Sequence, residues 1–195
     1  MRPISWSSIS QWEYDKRIWA RKYLDGITEP ATPAMLFGKQ VGEAIASNPL
    51  FLPKLPRGSV FEYEARATIG KVSLLGFLDS FSPNEPTVYE YKTSQKDTTW
   101  SQKKCDNFGQ ISMYVLLLYL QDKIHPKDLI IKLSAIPVRS KNDFSMEINN
   151  DLPIQTFETK RTMSDILRFS KYILEVVSDM KEFAKSYPHP HLQKK

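Results

Sequence analysis

Residues 71–93 read KVSLLGFLDSFSPNEPTVYEYKT, and this stretch decides the fold. Its two apolar and β-branched runs, Lys71 to Phe81 and Thr87 to Thr93, flank the segment Ser82 to Pro86. Apolar runs separated by a short segment rich in Pro, Asn and Ser are typical of a β-hairpin. We therefore predict two neighbouring antiparallel strands in this part of the chain.

Further strands and helices extend outward from this hairpin. The run Val60 to Ile69 ends at Gly70, so we predict a meander of three consecutive strands. A buried strand is predicted over the β-branched run Leu129 to Val138, and an edge strand over Phe144 to Ile148. Apolar residues recur at helical spacing in four segments: Ser5 to Leu24, Met35 to Ile45, Lys103 to Asp122, and Thr162 to Tyr187.

This order of elements predicts an α/β fold in which helices flank a central mixed β-sheet. The length of 195 residues suits one compact domain, whereas two domains would each be small. We expect a single domain over 1–195, with N-terminal helices in 1–58 and a C-terminal helix in 160–187. Its sheet core, in 59–149, includes the helix over 103–122.

Composition and charge narrow the class of protein. Hydrophobic residues make up 41% and charged residues 25%, which excludes a disordered or fibrous chain. A single cysteine, Cys105, excludes an internal disulfide framework. The longest apolar run, Tyr114 to Leu120, is too short to span a bilayer and no signal peptide is visible, so we expect a cytoplasmic protein without a membrane partner. The net charge of +5 favours polyanionic partners.

Three ionisable residues lie near the ends of the two hairpin strands. Because side chains alternate along a strand, Glu90 and Lys92 point to one face, and hairpin pairing places Asp79 beside Glu90. Two adjacent carboxylates repel unless a cation lies between them, and hard oxygen ligands suit Mg²⁺ or Mn²⁺. The alternative is a solvated hairpin whose Glu90 and Lys92 only balance each other's charge, the usual meaning of an isolated Glu-x-Lys.

Three motifs follow one another along the chain: Gly76-Phe77-Leu78-Asp79, Glu90-Tyr91-Lys92 and Gln110-x-x-x-Tyr114. Together they resemble the motifs of the RecB-like branch of the PD-(D/E)XK nuclease superfamily. The resemblance spans Ser5 to about Leu120 and includes four upstream features, Ser8-Ile9, Trp12, Trp19 and Gly38. It implies a restriction-endonuclease-like core with the order α-β-β-β-α-β.

The resemblance also implies roles for individual residues. Asp79, Glu90 and the backbone carbonyl of Tyr91 would hold Mg²⁺ or Mn²⁺, and Lys92 would position the attacking water or offset developing negative charge. Gln110 and Tyr114 lie four residues apart and so face the same way on a helix. The resemblance implies that they orient the lysine or the substrate, whereas burial in the core is the alternative for Tyr114.

Two departures from the family pattern bear on these roles. Many relatives carry a histidine four residues after the motif glycine, where this chain has Gly42. The adjacent Glu43 is a candidate replacement metal ligand, and the alternative is that it lies on a solvated helix face. Iron–sulfur relatives have Cys-Pro in the opening helix, where this chain has Asp15-Lys16, so no cluster is expected.

The loop after the Glu90 strand is basic and contains a tryptophan. We interpret four of its residues as candidates for stacking a base and neutralising phosphates, with solvated charge as the alternative: Lys96, Trp100, Lys103 and Lys104. The three histidines, His125, His189 and His191, show no metal-ligand spacing, and we assign them no role.

The resemblance implies a Mg/Mn-dependent deoxyribonuclease that hydrolyses phosphodiester bonds. It favours an exonuclease acting on DNA ends or single-stranded DNA in recombination, repair or phage DNA processing. Two other classes stay open. The missing histidine at Gly42 suits a catalytically degenerate DNA-binding module, and the long final helix suits an accessory subunit that docks a helicase or recombination protein.

Overall fold

A central mixed sheet organises the computed structural model, which describes residues 2–95, 99–142 and 145–188. The strands within these ranges are β1 (Val60–Ile69), β2 (Val72–Ser82), β3 (Thr87–Ser94), β4 (Ile130–Asn142), β5 (Ser145–Ile148) and β6 (Gln155–Thr159). The antiparallel meander β1-β2-β3 continues into a parallel β3-β4 pair, and β4 then pairs antiparallel with both β5 and β6. The predicted α/β class with a central mixed sheet is confirmed.

Helices flank this sheet, and along the chain they lie both before and after the β1-β2-β3 meander. They are α1 (Trp6–Tyr14), α2 (Lys16–Tyr23), α3 (Pro33–Ser47), α4 (Gln102–Asp106), α5 (Gly109–Gln121) and α6 (Met163–Ser186). The most buried of them is α5, which is apolar on nearly every side and contacts β1, β2, α1 and α6. The prediction that this helix packs on the sheet is confirmed.

The predicted single opening helix is in fact two helices that meet at Asp15. The backbone of Asp15 is extended, with φ −158° and ψ 114°, which ends α1. Its side chain then accepts hydrogen bonds from the backbone N–H groups of Arg17 at 2.7 Å and Ile18 at 3.1 Å. Aspartate is a strong N-cap residue, so one side chain both breaks the first helix and starts the second.

Other sequence predictions need correction or fall outside the described residues. The helix predicted over 103–122 is divided into α4 and α5 by Asn107 and Phe108. Strand β6 was not predicted, although its alternating sequence Gln-Thr-Phe-Glu-Thr fits an edge strand. Phe144, His189 and His191 lie outside the described residues. No helix among the described residues is long and apolar enough to cross a membrane.

The register of the β1-β2 hairpin is set by its tight turn. Ile69 pairs with Val72, which leaves Gly70 and Lys71 as the turn, and Gly70 has a φ of +57° that favours glycine. The other register pairs of the hairpin follow from this start, including Phe61 with Ser80 and Tyr63 with Leu78. Glu62 consequently faces Asp79 across the two strands.

The β2-β3 hairpin is paired only near its turn. Its register pairs are Ser82 with Thr87, Phe81 with Val88, and Ser80 with Tyr89. Beyond them β3 keeps its parallel pairing with β4 as far as Ser94. The carboxyl half of β3 therefore stays bonded to β4 while its pairing with β2 stops at Asp79, and the sheet opens at this point.

A glycine at the start of α5 allows α1 to pack against it. A Cβ built on Gly109 would lie 2.0 Å from the Trp6 ring, closer than real contacts allow. We expect Gly109→Ala to lower the free energy of unfolding by about 1–3 kcal/mol, since overpacking forces neighbours to shift. Urea denaturation monitored by circular dichroism measures this change.

Gly42 in α3 provides the matched control, because a Cβ there meets no atom within 4 Å. Gly42→Ala should stabilise the protein by up to about 1 kcal/mol through helix propensity. Equal effects of the two substitutions would contradict the packing of Trp6 on Gly109.

Candidate active site

Three carboxylate residues occupy neighbouring positions across three strands where the sheet opens. Glu62 on β1 faces Asp79 on β2, and the β2-β3 register, continued by one residue, sets Asp79 opposite Glu90 on β3. Lys92 follows two residues after Glu90 and so shares its side of the strand. The structure thus brings together the predicted trio Asp79, Glu90 and Lys92 and adds a further acid.

The side chain of Asp79 joins β2 to β3 where the backbone pairing of these strands ends. Its Oδ2 accepts a hydrogen bond of 2.8 Å from the backbone N–H of Tyr91, which ties β2 to β3 through a side chain. Burial raises the pKa of Asp79 well above its usual value, and the nearby charge of Glu90 raises it further. The ammonium of Lys92 and the Tyr91 hydrogen bond oppose this rise without cancelling it.

Glu90 is fully buried, with 0% of its surface exposed. Its Oε1 lies 2.5 Å from the Nζ of Lys92. Neither carboxylate oxygen has a hydrogen bond of acceptable geometry within the described residues. A buried carboxylate is normally both paired and hydrogen-bonded, because an unsatisfied buried charge is very costly. A buried carboxylate whose one close partner among the described residues is the Lys92 ammonium is therefore the most unusual feature of the site.

Lys92 is held as a cation by its surroundings. Burial alone would lower the pKa of Lys92, but the carboxylates of Glu90 and Asp79 outweigh it and raise the pKa above its usual value. Its side chain is 29% exposed and lines the cleft. Lys92 therefore carries a positive charge between two acids and the open side of the site.

A chain of hydrogen bonds positions the Lys92 ammonium. Lys92 Nζ donates to Gln110 Oε1 at 3.1 Å, and Gln110 Nε2 donates to the Tyr114 hydroxyl. Tyr114 in turn donates to the backbone carbonyl of Phe77 at 2.8 Å. Burial raises the pKa of Tyr114 well above its usual value, and the charge of Glu90 adds to this, so the hydroxyl keeps its proton. The predicted orienting residues Gln110 and Tyr114 thus lie in the network.

The site opens into a cleft of about 1040 Å³ between the sheet and α3. Asp79, Tyr91, Lys92 and Glu62 line its sheet side. The α3 side is formed by small and apolar residues together with two charged ones: Ala34, Met35, Gly38, Lys39, Gly42 and Glu43. A substrate group of the size of a nucleotide can therefore reach Asp79 and Lys92 from this side, whereas Glu90 lies behind them and does not line the cleft.

Glu43 is a predicted candidate metal ligand, but the structure does not place it beside the carboxylates of Asp79 and Glu90. Glu43 is exposed at the edge of the cleft and pairs with Lys39 at 3.7 Å. Among residues 2–95, 99–142 and 145–188, no three His, Cys, Asp or Glu side chains lie close enough to hold one ion. The physical reason is the helical turn angle, since Glu43 points about 100° away from the direction of position 42.

Sequence reasoning missed Glu62. This residue is exposed, lines the cleft, and lies near enough to Asp79 for its charge to raise the pKa of that carboxyl. Its φ of 49° is in the left-handed region, which is uncommon for a residue with a side chain. The two-residue turn at Gly70 and Lys71 was the available signal, because counting back from it sets position 62 opposite Asp79.

The structure describes three of the four residues predicted to contact nucleic acid. Trp100 is 9% exposed and packs edge-on against Phe108, with a ring separation of 5.1 Å. Lys104 covers its ring with Nζ at 4.5 Å. The prediction that Trp100 stacks a base is therefore wrong, because the ring is buried against other residues of the protein. Lys103 and Lys104 are exposed, whereas Lys96 lies outside the described residues.

Comparisons with known proteins identify the fold. No family model and no curated protein matches the chain. A phage-related exonuclease from Haemophilus somnus 129PT is structurally similar, with 14% identity and a TM-score of 0.57, over 87% of this chain and 80% of that one. An alkaline exonuclease from Laribacter hongkongensis has 11% identity and a TM-score of 0.52, over 94% and 92%. A protein from Eubacterium rectale has 11% identity and a TM-score of 0.55, over 92% and 82%.

The backbone of Glu62 leads to a test of its conformation. Both Glu62→Gly and Glu62→Ala remove the carboxylate, but only glycine adopts a positive φ without steric cost. We expect the glycine variant to be more stable than the alanine variant by about 1 kcal/mol in urea denaturation.

Glu64 is the matched control, since it lies on the same strand, is also exposed and has no positive φ. At this position alanine should be the more stable substitution, because glycine weakens a strand. The same order of stability at both positions would contradict a strained backbone at Glu62.

Proposed function

We propose that this chain is a divalent-metal-dependent nuclease that hydrolyses phosphodiester bonds of DNA. The observation that carries the proposal is the buried carboxylate of Glu90, which has no hydrogen bond to either oxygen among the described residues. It lies beside Asp79 and Lys92, and these two residues line an open cleft. A site of this charge and shape suits a cation together with a phosphate.

The side chains present fit a small hard cation. Asp79 and Glu90 supply carboxylate oxygens, and the backbone carbonyl of Tyr91 is available as a third oxygen ligand. Mg²⁺ and Mn²⁺ favour one or two carboxylates, with water and substrate phosphate completing the coordination. A cation would also offset the repulsion that raises the pKa of Asp79.

In the proposed mechanism each residue has a distinct task. Asp79 and Glu90 would hold the divalent ion, which would supply Lewis-acid chemistry for activating water and offsetting charge on the phosphate. Lys92 reaches the same side of the cleft and stabilises the negative charge that develops on the phosphate oxygens. Gln110 and Tyr114 hold the ammonium in place, so little reorganisation is needed during the reaction.

The fold supports the same class of reaction. Exonucleases from Haemophilus somnus 129PT and Laribacter hongkongensis share it, although at low identity. Taken with the motif resemblance, this favours exonuclease over endonuclease action and a place in recombination, repair or phage DNA processing. The RecB-like branch is part of the same proposal.

A degenerate DNA-binding module is the second candidate function. The observation that favours it is that no third ligand side chain lies with Asp79 and Glu90 in the part of the chain that the structure describes, since Gly42 replaces the motif histidine and Glu43 pairs with Lys39. Such a module would bind DNA equally well with and without EDTA and would not cleave it. Retention of Asp79, Glu90 and Lys92 in one network favours activity.

Cation binding should stabilise the folded protein. We expect millimolar Mn²⁺ to raise the melting temperature by several degrees. A ligand present at 100 times its Kd stabilises the folded state by about 2.7 kcal/mol. For a protein of this length, about 1 kcal/mol raises the melting temperature by about 2–4 °C. Asp79→Asn should melt higher than the wild type without metal, because it removes repulsion, and should respond little to Mn²⁺. Differential scanning calorimetry measures both effects, and identical Mn²⁺ responses would count against the metal site.

The Lys92 charge should matter for cleavage rather than for DNA binding. Lys92→Ala should reduce cleavage of labelled DNA by at least about 10²-fold, the usual effect of removing one transition-state stabiliser. Gel assays on single- and double-stranded DNA with Mn²⁺ measure the rate, and fluorescence anisotropy measures binding.

Lys71→Ala, in the exposed β1-β2 turn, is the control for loss of a positive charge. Circular dichroism checks that Lys92→Ala is folded, because the substitution leaves Glu90 buried without its partner. Unimpaired turnover in a folded Lys92→Ala protein would remove this lysine from the mechanism.

A further inference from the structure

We propose that Arg161, between β6 and α6, is a positioning residue of the candidate active site, because it fixes the first turn of α5 and so sets where Gln110 meets the Lys92 ammonium. This inference rests on the proposed function for the task of Lys92. It adds to that function a residue that does not line the cleft.

Arg161 is a buried cation, with 6% of its surface exposed. Burial lowers its pKa, and the nearby Asp165 pairs with Arg168 instead. The guanidinium donates five hydrogen bonds to neutral acceptors among the described residues: Ser112 Oγ, Thr159 Oγ1 and Lys160 O at 2.9 Å, Cys105 O at 3.3 Å and Phe108 O at 3.4 Å. A buried cation without a close anion is costly, so the planar fork of donors, rather than an ion pair, accounts for this placement.

Two of these bonds hold α5 on either side of Gln110. Nη2 donates to the carbonyl of Phe108, two residues before Gln110, and Nε donates to the hydroxyl of Ser112, two residues after it. The bond to the carbonyl of Cys105 joins the last turn of α4 to the same guanidinium. Arg161 therefore holds the end of α4 and the first turn of α5 as one unit.

The first turn of α5 has no local cap of its own. Its N-cap residue, Phe108, makes no side-chain capping hydrogen bond, and its first residue is Gly109. Helices are usually started by Ser, Thr, Asp or Asn, whose side chain accepts from a free backbone N–H, and glycine is the most flexible residue. The position of this turn therefore depends on tertiary contacts, among them the bonds to Arg161.

This turn reaches the charged groups of the site through two residues. Gln110 Oε1 accepts a hydrogen bond of 3.1 Å from Lys92 Nζ, and the ring of Phe108 lies 5.7 Å from the same ammonium. Hydrogen bonds weaken steeply with distance and angle, and cation–π attraction requires a cation within about 6 Å of the ring. A displaced first turn would therefore weaken both contacts of Lys92.

The test replaces Arg161 without removing its charge. Arg161→Lys cannot make the same bonds, because an ammonium has three donors and a guanidinium has five in a fixed plane. Arg57→Lys is the matched control, since Arg57 also donates to backbone carbonyls, four of them between Ile45 and Leu52, in the last turn of α3 and after it. The readout is the side-chain amide signal of Gln110 in ¹H–¹⁵N NMR spectra, assigned by its loss in Gln110→Leu.

We expect both lysine variants to lower the urea midpoint, because each loses hydrogen bonds to backbone carbonyls. Only Arg161→Lys should shift the Gln110 amide signal by more than its linewidth. A Gln110 signal that stays in place in folded Arg161→Lys, or that moves as far in Arg57→Lys, would overturn the inference.

A milder pair of variants keeps the inference testable if Arg161→Lys does not fold. Ser112→Ala removes the hydroxyl on α5 that accepts from Arg161, and Thr159→Val removes the hydroxyl on β6 that accepts from the same guanidinium, each at 2.9 Å. The α5 variant should shift the Gln110 signal further than the β6 variant, because it releases the turn that carries Gln110. Equal shifts in the two variants would contradict the positioning role.

Cleavage kinetics separate this role from the proposed activity itself. Arg161→Lys should lower kcat on labelled DNA by about tenfold or more, since a displacement of about 1 Å can cost about 10²-fold. KM and the DNA binding measured by fluorescence anisotropy should not change, and a higher KM with an unchanged kcat would contradict the inference. If the wild type cleaves no DNA, the proposed function fails, and the Gln110 signal still decides whether Arg161 positions Gln110.

Discussion

The ion pair between Glu90 and Lys92 is the interaction on which the site depends. Glu90 is fully buried and its oxygens accept no hydrogen bond of acceptable geometry from residues that the structure describes, so the Lys92 ammonium at 2.5 Å is what stabilises its charge. Lys92 in turn is fixed by Gln110 and Tyr114 on α5. A helix of the core, a central strand and the charged groups are therefore parts of one network, and a change in any of them alters the electrostatics of the site.

The opening of the sheet gives these charges access to a substrate. Beyond Ser80 and Tyr89, no register pair joins the backbones of β2 and β3 among the described residues. Instead the Asp79 carboxylate bonds the Tyr91 N–H, and β3 relies on its parallel partner β4. This arrangement lowers stability locally, because the charges of Asp79 and Glu90 repel each other and the backbone of Glu62 has a positive φ. Local destabilisation of this kind is common at sites where a bound ligand compensates for it.

The sequence was informative where local rules act alone and misleading where burial competes with them. The meander, the partnership of Asp79 with Glu90, and the buried helix that carries Gln110 and Tyr114 follow from alternation, turn residues and helical period. Glu62 was within reach too, because a two-residue turn fixes the register. The failure at Trp100 has a different origin: neighbouring lysines indicate a surface loop, yet a large aromatic ring gains more by packing against Phe108. The break at Asp15 was hidden for a similar reason, as one aspartate can either sit on a helix surface or cap a new helix.

The bond between the Tyr91 amide and Asp79 also makes that amide a reporter of the site. An ordinary strand amide exchanges its hydrogen with solvent when two strands separate, whereas this one is released when a single carboxylate turns away or is neutralised. Its nitrogen chemical shift and exchange rate therefore reflect the state of the carboxylate rather than the opening of the sheet. One backbone resonance can thus follow events in the cleft without any label added to the chain.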